Sequence, residues 1–172
     1  MPKSLADGHI RIAVLTTKPA NPAAPTVAEL NGGIGGATGV NCNILASDFN
    51  FGPTGSDKIS EPALCDQGKT EALGLGAYQC GFTVFRFFDA ATKNAHATED
   101  VLFQAVKVKG ATLYIYAREN GKISTDAWAA SDEIYFGAQV VNDSPVRGDG
   151  TGYIKRRVEC VVSAGYENIA VA

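Results

Sequence analysis

The residues from which active sites are usually assembled are scarce in this chain. Its 172 residues include two histidines, His9 and His96, and one tryptophan, Trp128. No serine or cysteine stands in a nucleophile elbow, so no acyl-transfer triad is nominated. The carboxylates Asp7, Asp48, Asp66 and Asp89 fall at expected strand ends and turns, where aspartate serves local hydrogen bonding. The four cysteines, Cys42, Cys65, Cys80 and Cys160, include no pair two residues apart, which argues against a zinc site. Positive charge is also in short supply: 15 Lys and Arg against 18 Asp and Glu, a net charge of -3. That balance gives no reason to cling to a nucleic-acid backbone. No run approaches the ~20 apolar residues of a membrane span, and the N-terminus lacks the apolar core of a signal peptide. A cytoplasmic protein with unpaired thiols is therefore expected. These residues nominate no catalytic group, no cofactor and no metal ligand.

What the chain does have is β patterning. Hydrophobic residues make up 45% and charged residues 19%, a globular composition. One domain over residues 1–172 is expected, without repeats or linkers. In "HIRIAVLTT", Ile12 and Val14 share a face with Ile10. "CGFTVFRFFD" is apolar on both faces and reads as a central strand, with Phe82, Val84 and Phe85 in the core. "ATLYIYARENG" sets Leu113 and Ile115 against Tyr114 and Tyr116. "DEIYFGAQVV" and "YIKRRVECVVSAG" complete the strong strands, the latter with Val158 and Cys160 turned inward. Weaker strands are expected around 40–45 and 58–65. Thr26 and Glu29 stand at capping-box spacing for a short helix that stops at Gly32. A second helix, capped by Thr98, carries Leu102 on its apolar face and ends before Gly110. The sum is a mostly β fold, a two-sheet sandwich or barrel with one flanking α-helix. Segments 46–56 and 67–78 lack a period and read as long inter-strand loops, where function is usually carried.

Two glycine-rich stretches invite a nucleotide reading and fail it. Gly68-Lys69-Thr70 resembles the tail of a phosphate loop, but Ala63 stands where the first glycine is needed and no helix follows. "NGGIGGATG", from Asn31 to Gly39, follows a helix instead of a strand and misses the dinucleotide fingerprint.

Several segments in order nevertheless resemble one family. "SLADGHIRIAVLTT", "APTVAELNGG", "EPALCDQG", "DAWAASDEIYF" and "RRVECVVSAGYENIAVA" are similar to stretches of the major tail tube proteins of long-tailed, non-contractile bacteriophages. Ser131 stands where that family more usually has glycine. The resemblance implies a two-sheet β domain with one flanking helix. It further implies hexameric rings stacked into a hollow tube around a tape-measure protein, ending in tail terminator and tail-tip proteins. Double-stranded DNA then passes through the lumen without specific binding. Assembly in the host bacterial cytoplasm and a place in the virion tail follow, with no membrane contact. On this reading the two loops touch neighbouring subunits, through Asp48, Phe49 and Phe51 in the first and Gly68, Lys69, Gly74, Leu75 and Gly76 in the second. Lys155, Arg156 and Arg157 are expected not to form a DNA track. The alternative is a cytoplasmic β-sandwich module binding carbohydrate or peptide, with Tyr114, Tyr116, Trp128 and Tyr135 as an aromatic platform. Core and sheet-face packing is the favoured role for those four.

Overall fold

The computed structural model of the chain describes residues 8–68, 71–148 and 150–172. In order along the chain lie β1 (Ile10–Leu15), α1 (Val27–Asn31), β2 (Asn50–Ile59), β3 (Ala72–Phe85), α2 (Val101–Val106), β4 (Thr112–Glu119), β5 (Glu133–Asn142), β6 (Val146–Arg147) and β7 (Lys155–Ala170). All pair antiparallel in one seven-stranded sheet, ordered β1-β4-β5-β7-β3-β2, with β6 beside β7. The sequence suggested two sheets. One forms because β7 is long enough to serve both halves: it pairs with β3 over 155–160 and with β5 over 160–170.

The sheet curls around its core. Phe51 of β2 meets Phe136 of β5 edge-on, with centroids 4.8 Å apart, although β7 and β3 lie between those strands in the hydrogen-bonded order. The enclosed cluster includes Ile12, Val14, Phe82, Val84, Leu102, Leu113, Ile115 and Val158, all buried, with Cys160 packed half-buried against it. Each such aliphatic side chain contributes roughly 1.5–3 kcal/mol by leaving water. A second cluster covers the outer face of β1 and β4, where Ala13, Leu15, Tyr114 and Tyr116 meet Leu30, Trp128, Ile134 and Val171. Both faces of β1 are therefore covered. Tyr116 lies over Gly137 opposite it, where a Cβ would stand 2.6 Å from the ring.

The edge at β1 is closed by irregular chain. The Ile34 N–H donates to the Val14 carbonyl at 2.8 Å, and the Ile12 N–H donates to Asn41 Oδ1 at 2.7 Å. The expected strand at 40–45 is mostly 3-10 turn for this reason: Asn41 supplies a side chain to the edge, and only Ile44 makes a bridge, to Val84. The other edge, β2, pairs only with β3.

The helices follow local chemistry. Thr26 and Glu29 make the capping box of α1, which ends at Gly32. In α2 the cap is Asp100, and the Thr98 hydroxyl contacts His96 instead. The Asp100 carboxylate is turned to the end of β3, taking Arg86 Nε at 2.9 Å and the Phe87 N–H at 3.0 Å. Leu102 and Val106 of α2 enter the core.

Candidate assembly interface

The two segments read as loops are largely strand. Residues 50–56 belong to β2 and 72–78 to β3, which pair from Asn50↔Gly81 to Ile59↔Ala72 as an arm. The expected strand at 58–65 ends at Ile59. β2 tolerates Gly52, Pro53 and Gly55 because it is an edge strand with two register shifts. In β3 the run "ALGLGA", 72–77, is a strict alternation. It gives one leucine-bearing face and one glycine face, on which Ile59 and Tyr78 lie. Tyr78 packs on Phe136, with centroids 5.3 Å apart, and beyond it the leucine face of the arm is exposed: Leu73 is 78% and Leu75 85% accessible.

The eight expected contact residues divide between the body of the subunit and this arm. Asp48, Phe49 and Phe51 are used within the subunit. Asp48 takes Arg157 Nη1 at 2.8 Å and the Thr83 hydroxyl, and Phe49 and Phe51 pack on the core. Their segment sits at the base of β2, where the curl of the sheet draws aromatic side chains inward. Gly68 and Gly76 are exposed, Leu75 projects, and Gly74 lies beneath Ile59. Lys69, with Thr70, falls outside the described residues.

Phe85, expected in the core, is instead half-buried and outside the core cluster. It is the last residue of β3 and meets the exposed Tyr153 edge-on, with centroids 5.8 Å apart. The core of that strand is carried by Phe82 and Val84. The aromatic platform also dissolves. Tyr114, Tyr116 and Trp128 are buried, and only Tyr135, in the bulge opposite Ala117 and Arg118, is exposed.

At the Phe85 end of β3 lies a groove of about 200 Å³, lined among the described residues by Arg147, Gly148, Tyr153, Ile154, Lys155 and Arg156 with two further glycines. Arg147 stands directly opposite Arg156 in the β6–β7 register. Arg157, next to them, is compensated by Asp48 and by Glu159 at 2.7 Å.

Sequence reading missed a buried polar staple. Arg11 and Arg118 face each other across β1 and β4, both fully buried. Arg118 reaches Asp132 at 3.1 Å and the Ile123 and Ala127 carbonyls, while Arg11 reaches the Ala37 and Ser124 carbonyls. Burial pushes the Asp132 carboxyl up. Hydrogen bonds from Lys122 and the Ala129 N–H, with the charges of Lys122 and Arg118, outweigh it and hold the group below its ordinary value. Asn31 and Trp128 exchange two hydrogen bonds, at 3.0 and 3.1 Å, tying α1 to the same loop. The Cys80 thiol is pushed up by its hydrogen bond with Cys160 across the β3–β7 pair, and then by burial, which makes it a poor nucleophile. All four cysteines are free. Among the described residues no three His, Cys, Asp or Glu side chains could hold a metal ion, and no helix is long and apolar enough to cross a membrane.

Over residues 1–172 the chain matches the family described as phage tail tube protein. It belongs to that family. No curated protein matches it. Membership makes the chain a structural component of a phage tail, one that builds a tube with copies of itself. Three of the stretches that carried the resemblance meet at the staple: Asn31 ends "AELN", Trp128 and Asp132 lie in "DAWAASDE", and Val171 is in the terminal strand's tail.

Proposed function

We propose that the chain forms hexameric rings that stack into the tail tube of a long-tailed, non-contractile phage, the conduit for genome delivery. In this reading the curled sheet works as the two layers of a tube-type domain with α2 alongside. The tape-measure protein fills the lumen during assembly in the host cytoplasm. Terminator and tip proteins close the ends, and double-stranded DNA later passes without specific binding. The observation that carries the reading is the β2–β3 arm. A lone two-stranded hairpin is marginal in water. This one also presents Ile59, Leu73 and Leu75 and an unpaired edge strand, features that in a monomer invite association. Gly68, Lys69, Gly74, Leu75 and Gly76 are then inter-ring contacts. Negative-stain microscopy of concentrated protein tests this. Rings or tubes of constant diameter are expected. A particle that stays monomeric or dimeric at every concentration overturns it.

A further inference from the structure

We propose that Cys80 and Cys160 form a reversible redox site, a cross-strand disulfide that closes once the tail leaves the reducing interior of the host cell. The change of compartment rests on the tail reading above. The bond itself does not, because it can form in the unassembled subunit.

Their geometry comes first. Cys80 of β3 stands directly opposite Cys160 of β7, and opposite residues share one face of a sheet. The Arg86 N–H donates to the Ile154 carbonyl at 2.9 Å, one place beyond the Phe85–Lys155 pair. Hydrogen-bonded and non-hydrogen-bonded pairs alternate along an antiparallel ladder. The cysteines therefore form a hydrogen-bonded pair, with Cα atoms about 5.5 Å apart. That separation is among the commonest across a disulfide. The two thiols are already hydrogen-bonded to each other. They are also the last rung of the β3–β7 ladder, since residues 72–79 of β3 run on in the arm with β2. The facing Cβ atoms, about 5 Å apart, can thus draw together to the ~3.8 Å of a disulfide without displacing a rung on the far side. The remaining strain keeps the bond reducible.

Their surroundings divide the roles. Cys80 is buried in the core cluster, whereas Cys160 is half-buried at its rim and is the thiol a solute meets first. Its thiolate attacks one sulfur of a small disulfide such as oxidised glutathione and displaces a glutathione thiolate. Cys80 Sγ then attacks Cys160 Sγ, its proton passes to solvent, and the second glutathione leaves. The two thiols have given up two protons and two electrons to make one S–S bond, and the oxidant has become two thiols. The hydrogen bond with Cys160 is the largest cause holding the Cys80 thiol up, and capping Cys160 removes it. Burial remains and makes the second step slow. Cys160 is also the residue at which β7 changes partner, from β3 over 155–160 to β5 over 160–170. A bond there ties the arm-bearing strand to the body where the two halves of the sheet join. A reducing cytosol keeps such thiols open, and an oxidising exterior closes them.

The test uses the full chain carrying Cys42→Ser and Cys65→Ser, which removes the two exposed thiols and with them any link between copies. Oxidised glutathione is added to the folded protein. A mass lower by two hydrogen atoms is expected, with no free thiol on denaturation and a Cys80–Cys160 peptide pair after digestion. The melting temperature should rise by roughly 5–10 °C. Dithiothreitol should reverse each change, and Cys160→Ser in the same background should show none of them. The inference falls if both thiols survive an oxidant that consumes them in urea-unfolded protein. It falls too if glutathione stays on Cys160 while Cys80 remains a thiol, or if the bonded form melts no higher than the dithiol. None of these readouts needs tubes, so a failure of the tube reading would show separately, in microscopy.

Discussion

Asp132 is the residue on which the outer face depends most. Among the described residues it is the only carboxylate bonded to the buried Arg118, and it also takes Lys122 Nζ at 2.6 Å and the Ala129 N–H. Replacing it with alanine leaves a buried guanidinium without its counter-charge, so a loss of about 3–5 kcal/mol is expected in urea unfolding at neutral pH. Because the folded carboxyl sits below its ordinary value, its contribution is complete above the unfolded value of about 3.9 and is lost as pH falls through the folded one. Wild-type stability should therefore fall more steeply below about pH 4 than that of Asp132→Asn. Parallel denaturant titrations at neutral and acid pH read this directly. Beside it, Ser131 adopts φ 66, in the left-handed region. That conformation is unfavourable for any residue with a Cβ, so Ser131→Gly is expected to gain about 0.5–1 kcal/mol, read as a raised melting temperature. Phe85→Asp, by contrast, should still fold and melt cooperatively, since Phe85 is half-buried at a strand end. The same change at Phe82, fully buried between β7 and the core, should abolish folding.

At the scale of the element, the arm and the body separate. Beyond Gly52 the arm's main contact with its own subunit is Tyr78, which packs on Phe136 with centroids 5.3 Å apart. Replacing residues 59–72 with an Asn-Gly turn should leave the melting temperature within a few degrees of wild type and abolish tubes. Circular dichroism and microscopy of the same sample check both halves of that statement. An arm that instead sets the stability of the body would show a large fall in melting temperature. The signal that the arm is a strand was present in "ALGLGA". Its alternation of leucine and glycine has the period of a strand, but the glycines alone suggest a loop. Pro53 and the flanking glycines of β2 hid the partner strand, because such residues argue against a strand unless it lies at an edge.

At the scale of the whole molecule, one edge of the sheet is closed and the other is open. Asn41 and Ile34 cap β1, while β2 continues as the exposed edge of the arm. A subunit with one open edge is suited to association through that edge. The family segments legible in the sequence divide between body and arm: those with Asn31, Trp128 and Asp132 lie at the staple, which holds the fold, whereas "EPALCDQG" lies at the end of the arm.

The sequence by itself determined the β class, the five strong strands, the capping box of α1 and the inward faces of β1, β3, β4 and β7. Each of these is a local period or a local hydrogen-bond pattern, readable within ten residues. The family was legible too, because its motifs occur in order along the chain. Only the tertiary structure decided that the strands make a single curled sheet, that Phe85 stands outside the core, and that Arg11, Arg118 and Asp132 converge. It also set the exposed arm and the Phe85–Tyr153 contact at opposite ends of β3. These depend on which strands pair and in what register, as in Arg11 opposite Arg118 and Arg147 opposite Arg156. Pairing of that kind joins residues far apart in the chain, as at either end of β1 and β4, and no local period encodes it.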